Sequence, residues 1–148
     1  MWEVSTYGGL FLAAFLAATI LPFSSEVAFS GAILAGLDPI ICLLVASAGN
    51  CLACSANYLG GYLLGKPFLV KMLRRSRGRR IYRLVHRREA LALLLSWLPV
   101  IGDPITLAAG GLRTHPLLFH SLVWPLQVLR YLVLLIAFRS NDDPWFFL

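Results

Sequence analysis

Residues 96–113 read Ser96-Trp-Leu-Pro-Val-Ile-Gly-Asp-Pro-Ile-Thr-Leu-Ala-Ala-Gly-Gly-Leu-Arg113. An apolar run from Ala90 to Leu98 stops at Pro99, and a second runs from Pro104 to Leu112. Each holds nine residues. As helix that is about 14 Å, roughly half of a bilayer's hydrocarbon core. Proline ends the helix before it. Asp103-Pro104 then reads as an N-cap with proline at the first helical position, which is a fresh start and not a bend. Gly110-Gly111 supplies the stop.

The same design occurs upstream. Leu10–Leu21 is apolar, Pro22-Phe-Ser-Ser-Glu26 interrupts it, and Val27–Leu37 follows. Ser24 and Ser25 can cap the half-helix that begins near Glu26. A shift of 77 positions lays Leu21-Pro22 on Leu98-Pro99, Glu26 on Asp103, Pro39 on Pro116 and Asn50 on Gln127. Behind each broken segment comes a stretch long enough to cross a bilayer, Ile40–Gly65 and Leu117–Phe138. Two geometries fit the breaks: a kinked span with an acid in mid-membrane, or a re-entrant hairpin that turns back at its polar tip. The start and stop signals favour hairpins, whose irregular backbone must line a cavity or be buried in protein. If each hairpin returns to its own side, each repeat crosses once and the two copies are inverted, a pattern that points to a transport site at the midplane.

Composition agrees with a membrane protein. Of 148 residues, 59% are apolar and 14% charged, with mean hydropathy +0.76. A soluble domain of this size could not hide that much apolar surface. Ten of the 13 Lys and Arg lie between Lys66 and Arg88, so residues 66–89 carry +9 and the remainder −3. Flanked by apolar spans, this run reads as a cytoplasmic loop under the positive-inside rule and not as a nucleic-acid surface. Both termini then face outside. Apolar residues recur at helical spacing on either side of Gly78, which predicts two short amphipathic helices on the anionic inner leaflet. Arg74, Arg75, Arg79 and Arg80 would meet its headgroups. Met1–Gly9 has no Lys or Arg, so no signal peptide is expected.

Ionisable residues at membrane depth are costly and rarely idle. Glu26 and Asp103 are candidate proton or cation sites, Asp103 doubling as a helix cap. Asp38, before Pro39, reads as a cap or a pathway entrance. Arg113 closes the second broken segment. Arg130 lies 14 residues into the last span, deep enough to need a carboxylate or phosphate partner. Pro22, Asn50, Asn57, Pro99, Gly102 and Pro104 are pathway or packing residues. Ser47, Asn50, Cys54, Asn57 and Gly61 share one helix face, with Gly49, Ala53, Ala56 and Gly60 beside it. Cys51-Leu-Ala-Cys54 lies inside a span without a third ligand, and His86, His115 and His120 lack metal spacing. Neither an enzyme nor a cofactor nor a metal is expected. Gly102-Asp103 is half of an intramembrane aspartyl-protease pair whose second Asp is missing.

Leu21-Pro22 with Glu26, Asp38, Gly49-Asn-Cys51, Asn57-Tyr-Leu-Gly-Gly61 and above all residues 96–113 resemble the DedA family (VTT or SNARE-associated domain), in its YqaA-like branch. The resemblance covers roughly residues 10–135. It implies two re-entrant hairpins, each followed by a spanning helix, and movement of phospholipid or undecaprenyl phosphate between leaflets, in some members linked to the proton gradient. Glu26 and Asp38 match the family's acids in and after the first hairpin, and Arg113 lies near its basic position after the second. Typical members place Arg on either side of the second-hairpin proline, where this chain has Trp97 and Asp103.

The expected fold is an all-α integral membrane protein of two inverted repeats (8–65 and 90–138), each a re-entrant helical hairpin followed by a transmembrane helix. A basic amphipathic cytoplasmic linker (66–89) joins them, and a tail (139–148) completes the chain. The expected function is lipid movement in a bacterial inner membrane, with membrane lipids, anionic or lipid-linked phosphate, and protons or cations as partners. A homodimer is compatible with so few spans. A proton- or cation-coupled small-solute transporter and a non-transporting scaffold are the alternatives.

Overall fold

A computed structural model describes residues 2–19, 25–98 and 102–142. Among them the chain is entirely helical: α1 (Trp2–Thr19), α2 (Ser25–Leu34), α3 (Pro39–Leu73), α4 (Ser76–Arg87), α5 (Glu89–Leu94) with a 3-10 turn (Leu95–Trp97), α6 (Gly102–Gly111) and α7 (Pro116–Asp142). Two stretches are long and apolar enough to cross a membrane, Pro39–Gly65 and Pro116–Ala137. Both expected spans are therefore present, within a residue of their anticipated limits.

The 77-residue shift matches helix bounds. It carries α2 onto α6 and the start of α3 onto the start of α7. α2 and α6 also end alike. Leu37 N–H donates to Ala32 O (3.2 Å) and Thr114 N–H to Ala109 O (3.0 Å), the six-to-one bond of a Schellman motif. Its left-handed residue is Gly36 (φ 85) in one copy and Arg113 (φ 57) in the other. Within the first copy α1 and α2 lie side by side. Ala14 of α1 packs with Phe29 and Ala32 of α2, and Tyr7 Oη accepts the Asp38 N–H at 3.2 Å.

Each copy has its own core. Leu10, Ala14, Phe29, Ala32, Leu37, Cys42, Leu43 and Ala46 close the first, with Tyr131 reaching in from α7. Leu93, Ile105, Ala108, Ala109, Phe119 and Val123 close the second, with Cys54 and Tyr58 from α3. The tightest join is α3 against α6. A Cβ on Gly61 would strike the Leu107 carbonyl, and one on Gly110 the Tyr58 carbonyl. Only glycine lets the two backbones touch there.

Five expectations need correction. α6 starts at Gly102, so Asp103 sits inside the first turn and is not its cap. Ser25 begins α2 but its hydroxyl accepts from an arginine of α7; Ser24, like Pro22 and Pro99, falls outside the described residues. α1 has 18 residues, about 27 Å, because Gly8 and Gly9 continue the helix. A kink at Gly65 (φ 49, ψ −134), two residues before Pro67, whose ring clashes with the preceding turn, opens the basic segment, and its two helices part at Arg74–Arg75, between α3 and α4. Gly78 is instead buried within α4. The apolar face of α4 does not look outward: Val85, with Ile81 and Leu84, packs into the second core.

Candidate functional site

The polar groups inside the bundle collect where the starts of α2 and α6 approach the middle of α7. Arg130 donates from Nη2 to Ser25 Oγ at 2.9 Å, and its guanidinium carbon lies 5.3 Å from the centre of the Tyr131 ring. Its Nε is buried without a hydrogen-bond partner. Asp103 of α6 lies within electrostatic reach of Arg130, and Glu26 of α2 within reach of Tyr131. Glu26 and Asp103 are repeat mates, and both are half-buried. Each occupies the first turn of its helix, where the positive dipole end favours a carboxylate. Of the two acids, Asp103 is the one within electrostatic reach of Arg130, while Glu26 reaches its neighbour Tyr131. Ser25 and Tyr131 join them without having been foreseen.

Beside this cluster lies a second polar contact between equivalent residues. Asn50 Nδ2 donates to Gln127 Oε1 at 2.9 Å, and Gln127 Nε2 donates to Cys54 Sγ at 3.3 Å. Asn50 and Gln127 are almost completely buried, so each amide satisfies a neighbour that water does not reach. Their alignment was visible in the sequence; that they touch was not.

The VTT domain family matches residues 21–135, a span that contains every residue of the cluster. The chain belongs to the VTT-domain, DedA-type family. It is 34% identical over 148 residues to the inner membrane protein YqaA of Escherichia coli, covering 98% of this chain and 99% of that one. The same figures hold for YqaA of Shigella flexneri. An uncharacterized protein of Haemophilus influenzae is 34% identical over 142 residues, covering 90% of this chain and 88% of that one. No solved structure matches the chain. With its two apolar spans, this VTT protein is a bacterial inner-membrane protein.

The other candidates of the VTT domain lie elsewhere. Asp38 is exposed and caps α3, its Oδ1 accepting from the Ile40 N–H at 2.8 Å and the Ile41 N–H at 3.1 Å. Arg113 is exposed, its guanidinium 5.0 Å from the centre of the Tyr62 ring. That cation–π contact offsets part of its left-handed backbone strain. Asn57 and Pro104 are half-buried. Gly102 is buried, a Cβ there meeting the Ser96 carbonyl. Arg74, Arg75, Arg79 and Arg80 are exposed.

A Ser–His contact also went unforeseen. Ser55 Oγ lies 3.2 Å from His120 Nε2 and 3.0 Å from the Cys51 carbonyl, and accepts from Trp124 Nε1 at 3.2 Å. His120 Nδ1 faces the Pro116 carbonyl at 2.7 Å. A backbone carbonyl, not a carboxylate, orients the ring, and the hydroxyl is held by three neighbours. The group ties α3 to α7 and lacks the charge relay partner of a nucleophile.

Proposed function

We propose that this VTT protein moves a phospholipid or lipid-linked phosphate between leaflets, the headgroup passing through a polar groove where two inverted, re-entrant hairpins meet while the tails stay in lipid. One observation carries the reading: Arg130, 14 residues into the last span, is held by Ser25 with a buried Nε left unpaired. A guanidinium with a free donor at that depth is costly to keep and suits a phosphate oxygen. The repeat-mate acids Glu26 and Asp103 supply the complementary part. A carboxyl near the guanidinium competes with a phosphate when ionised and yields to it when protonated, which links lipid movement to protons. The matching bounds of α2 and α6 and the Asn50–Gln127 bond support the inverted-repeat reading. The positive-inside rule puts residues 66–89 in the cytoplasm and both termini outside.

The test uses purified protein in liposomes with headgroup-labelled phospholipid and an impermeant quencher, with and without a pH gradient. Lipid movement makes the inner-leaflet label accessible. Arg130→Gln is expected to slow it roughly tenfold to a hundredfold, the worth of a charge-assisted hydrogen bond. Glu26→Gln is expected to abolish it with normal expression. Proton flux without lipid movement would instead support a coupled small-solute transporter, and neither flux a scaffold built on the basic segment.

A further inference from the structure

From residue 39 to residue 88 the chain has no Asp or Glu, and residues 74–88 hold eight arginines. The apolar side of α4 is occupied by the second core, so the arginine side is the one turned away from the protein. Arg80, Arg83, Arg87 and Arg88, with Leu84, line a shallow cleft of about 270 Å³. Positions 80, 83, 84 and 87 recur at the spacing of one helix face, so these guanidinia converge. Like charges so placed repel. Within the segment Arg83 Nε reaches only a backbone oxygen, that of Arg79, at 3.4 Å. The nearest acid in sequence, Glu89, is half-buried in the first turn of α5. The cleft also lies toward the carbonyl end of α4, which repels anions. Any anion there must be held by the side chains.

The helix beyond Arg88 distinguishes the sources of such an anion. The chain passes directly into α5 and its 3-10 turn, along which Leu91, Leu94 and Leu95 are exposed, with Leu98 exposed just past the turn. A row of exposed leucines beginning one turn after a ring of arginines has the two-part chemistry of a lipid, with phosphate above and hydrocarbon below. A soluble phosphate would use only the upper part. We propose that the cleft of Arg80, Arg83, Arg87 and Arg88 binds the phosphate of an anionic phospholipid from the leaflet that the basic segment faces, its acyl chain lying along Leu91, Leu94, Leu95 and Leu98. This site is separate from the Arg130 cluster, and its occupancy does not depend on lipid movement.

The full-length protein is delipidated in neutral detergent and titrated with phosphatidylglycerol or phosphatidylcholine, with bound lipid counted by native mass spectrometry. Phosphatidylglycerol is expected to be held about tenfold more tightly, and the double variant Arg83→Gln, Arg87→Gln to lose that margin. Arg83→Lys with Arg87→Lys keeps the charge without the planar fork and should fall between. Lys71→Gln with Arg77→Gln removes as much charge at exposed positions outside the cleft and should leave the margin intact. Equal retention of the two lipids, equal losses in the two glutamine pairs, or displacement of phosphatidylglycerol by an equal concentration of glycerol phosphate would each overturn the proposal. Unchanged thermal unfolding of the variants checks that they are folded.

Discussion

The contact of α3 with α6 and its counterpart, α2 with α7, occupy equivalent places in the two halves and are made of opposite materials. In the first, Gly61 and Gly110 bring backbone against backbone, and small Cys54 and Thr106 fill the rest, both fully buried. Their repeat mates are Tyr131 and Phe29, also fully buried, whose ring centres lie 5.3 Å apart. Gly102 corresponds to Ser25, and Ala53 to Arg130. One join is sealed by the absence of side chains, while the other is propped open by two aromatic rings and carries the guanidinium. Positions related by the 77-residue shift thus carry close backbone contact on one side and rings with a guanidinium on the other.

Substitution at the propped join should have the largest effect. Phe29→Ala empties a fully buried aromatic site and is expected to cost about 3–5 kcal/mol, read as a lower unfolding temperature in detergent. Its mate Thr106→Ala loses one hydroxyl, which donates to the Asp103 carbonyl, and should cost about 1 kcal/mol. Similar losses at both sites would erase the contrast. At the sealed join, Gly110→Val is expected to cost about 3 kcal/mol by forcing the backbones apart. Between the halves, Asn50→Leu or Gln127→Leu alone should cost roughly 1–2 kcal/mol by stranding a buried amide, and the double variant less than the sum of the two. The smallest expected change concerns the paired helix ends. Gly36→Ala at φ 85 should lose about 1 kcal/mol. Arg113→Gly should gain strain relief of about 1 kcal/mol and lose a cation–π contact of similar size, leaving unfolding nearly unchanged.

The two spans were legible because length and hydropathy act locally. The proximity of Asp103 to Arg130 follows a physical rule readable in the sequence, since ions in hydrocarbon seek one another. Three matters escaped. The start of α6 lies one residue before Asp103 because helix ends depend on surrounding backbone as well as on capping preference. Gly78 was misread as a boundary because glycine costs a helix interior only about 1 kcal/mol, which packing repays. The two helices part instead at Arg74–Arg75, while Pro67 marks the separate kink at Gly65. The apolar stripe of α4 was assigned to lipid when the protein itself covers it; periodicity reveals a face but not its neighbour. Tyr131 and Ser25 could have been found by asking which residues a shift of 77 places against unlike mates.

The hydrogen bond between the Asn50 and Gln127 side chains links two residues 77 positions apart in the dry interior. Parting α3 from α7 at this level would strand two amides out of reach of water, so the pair acts as a rivet that holds the two spans in register.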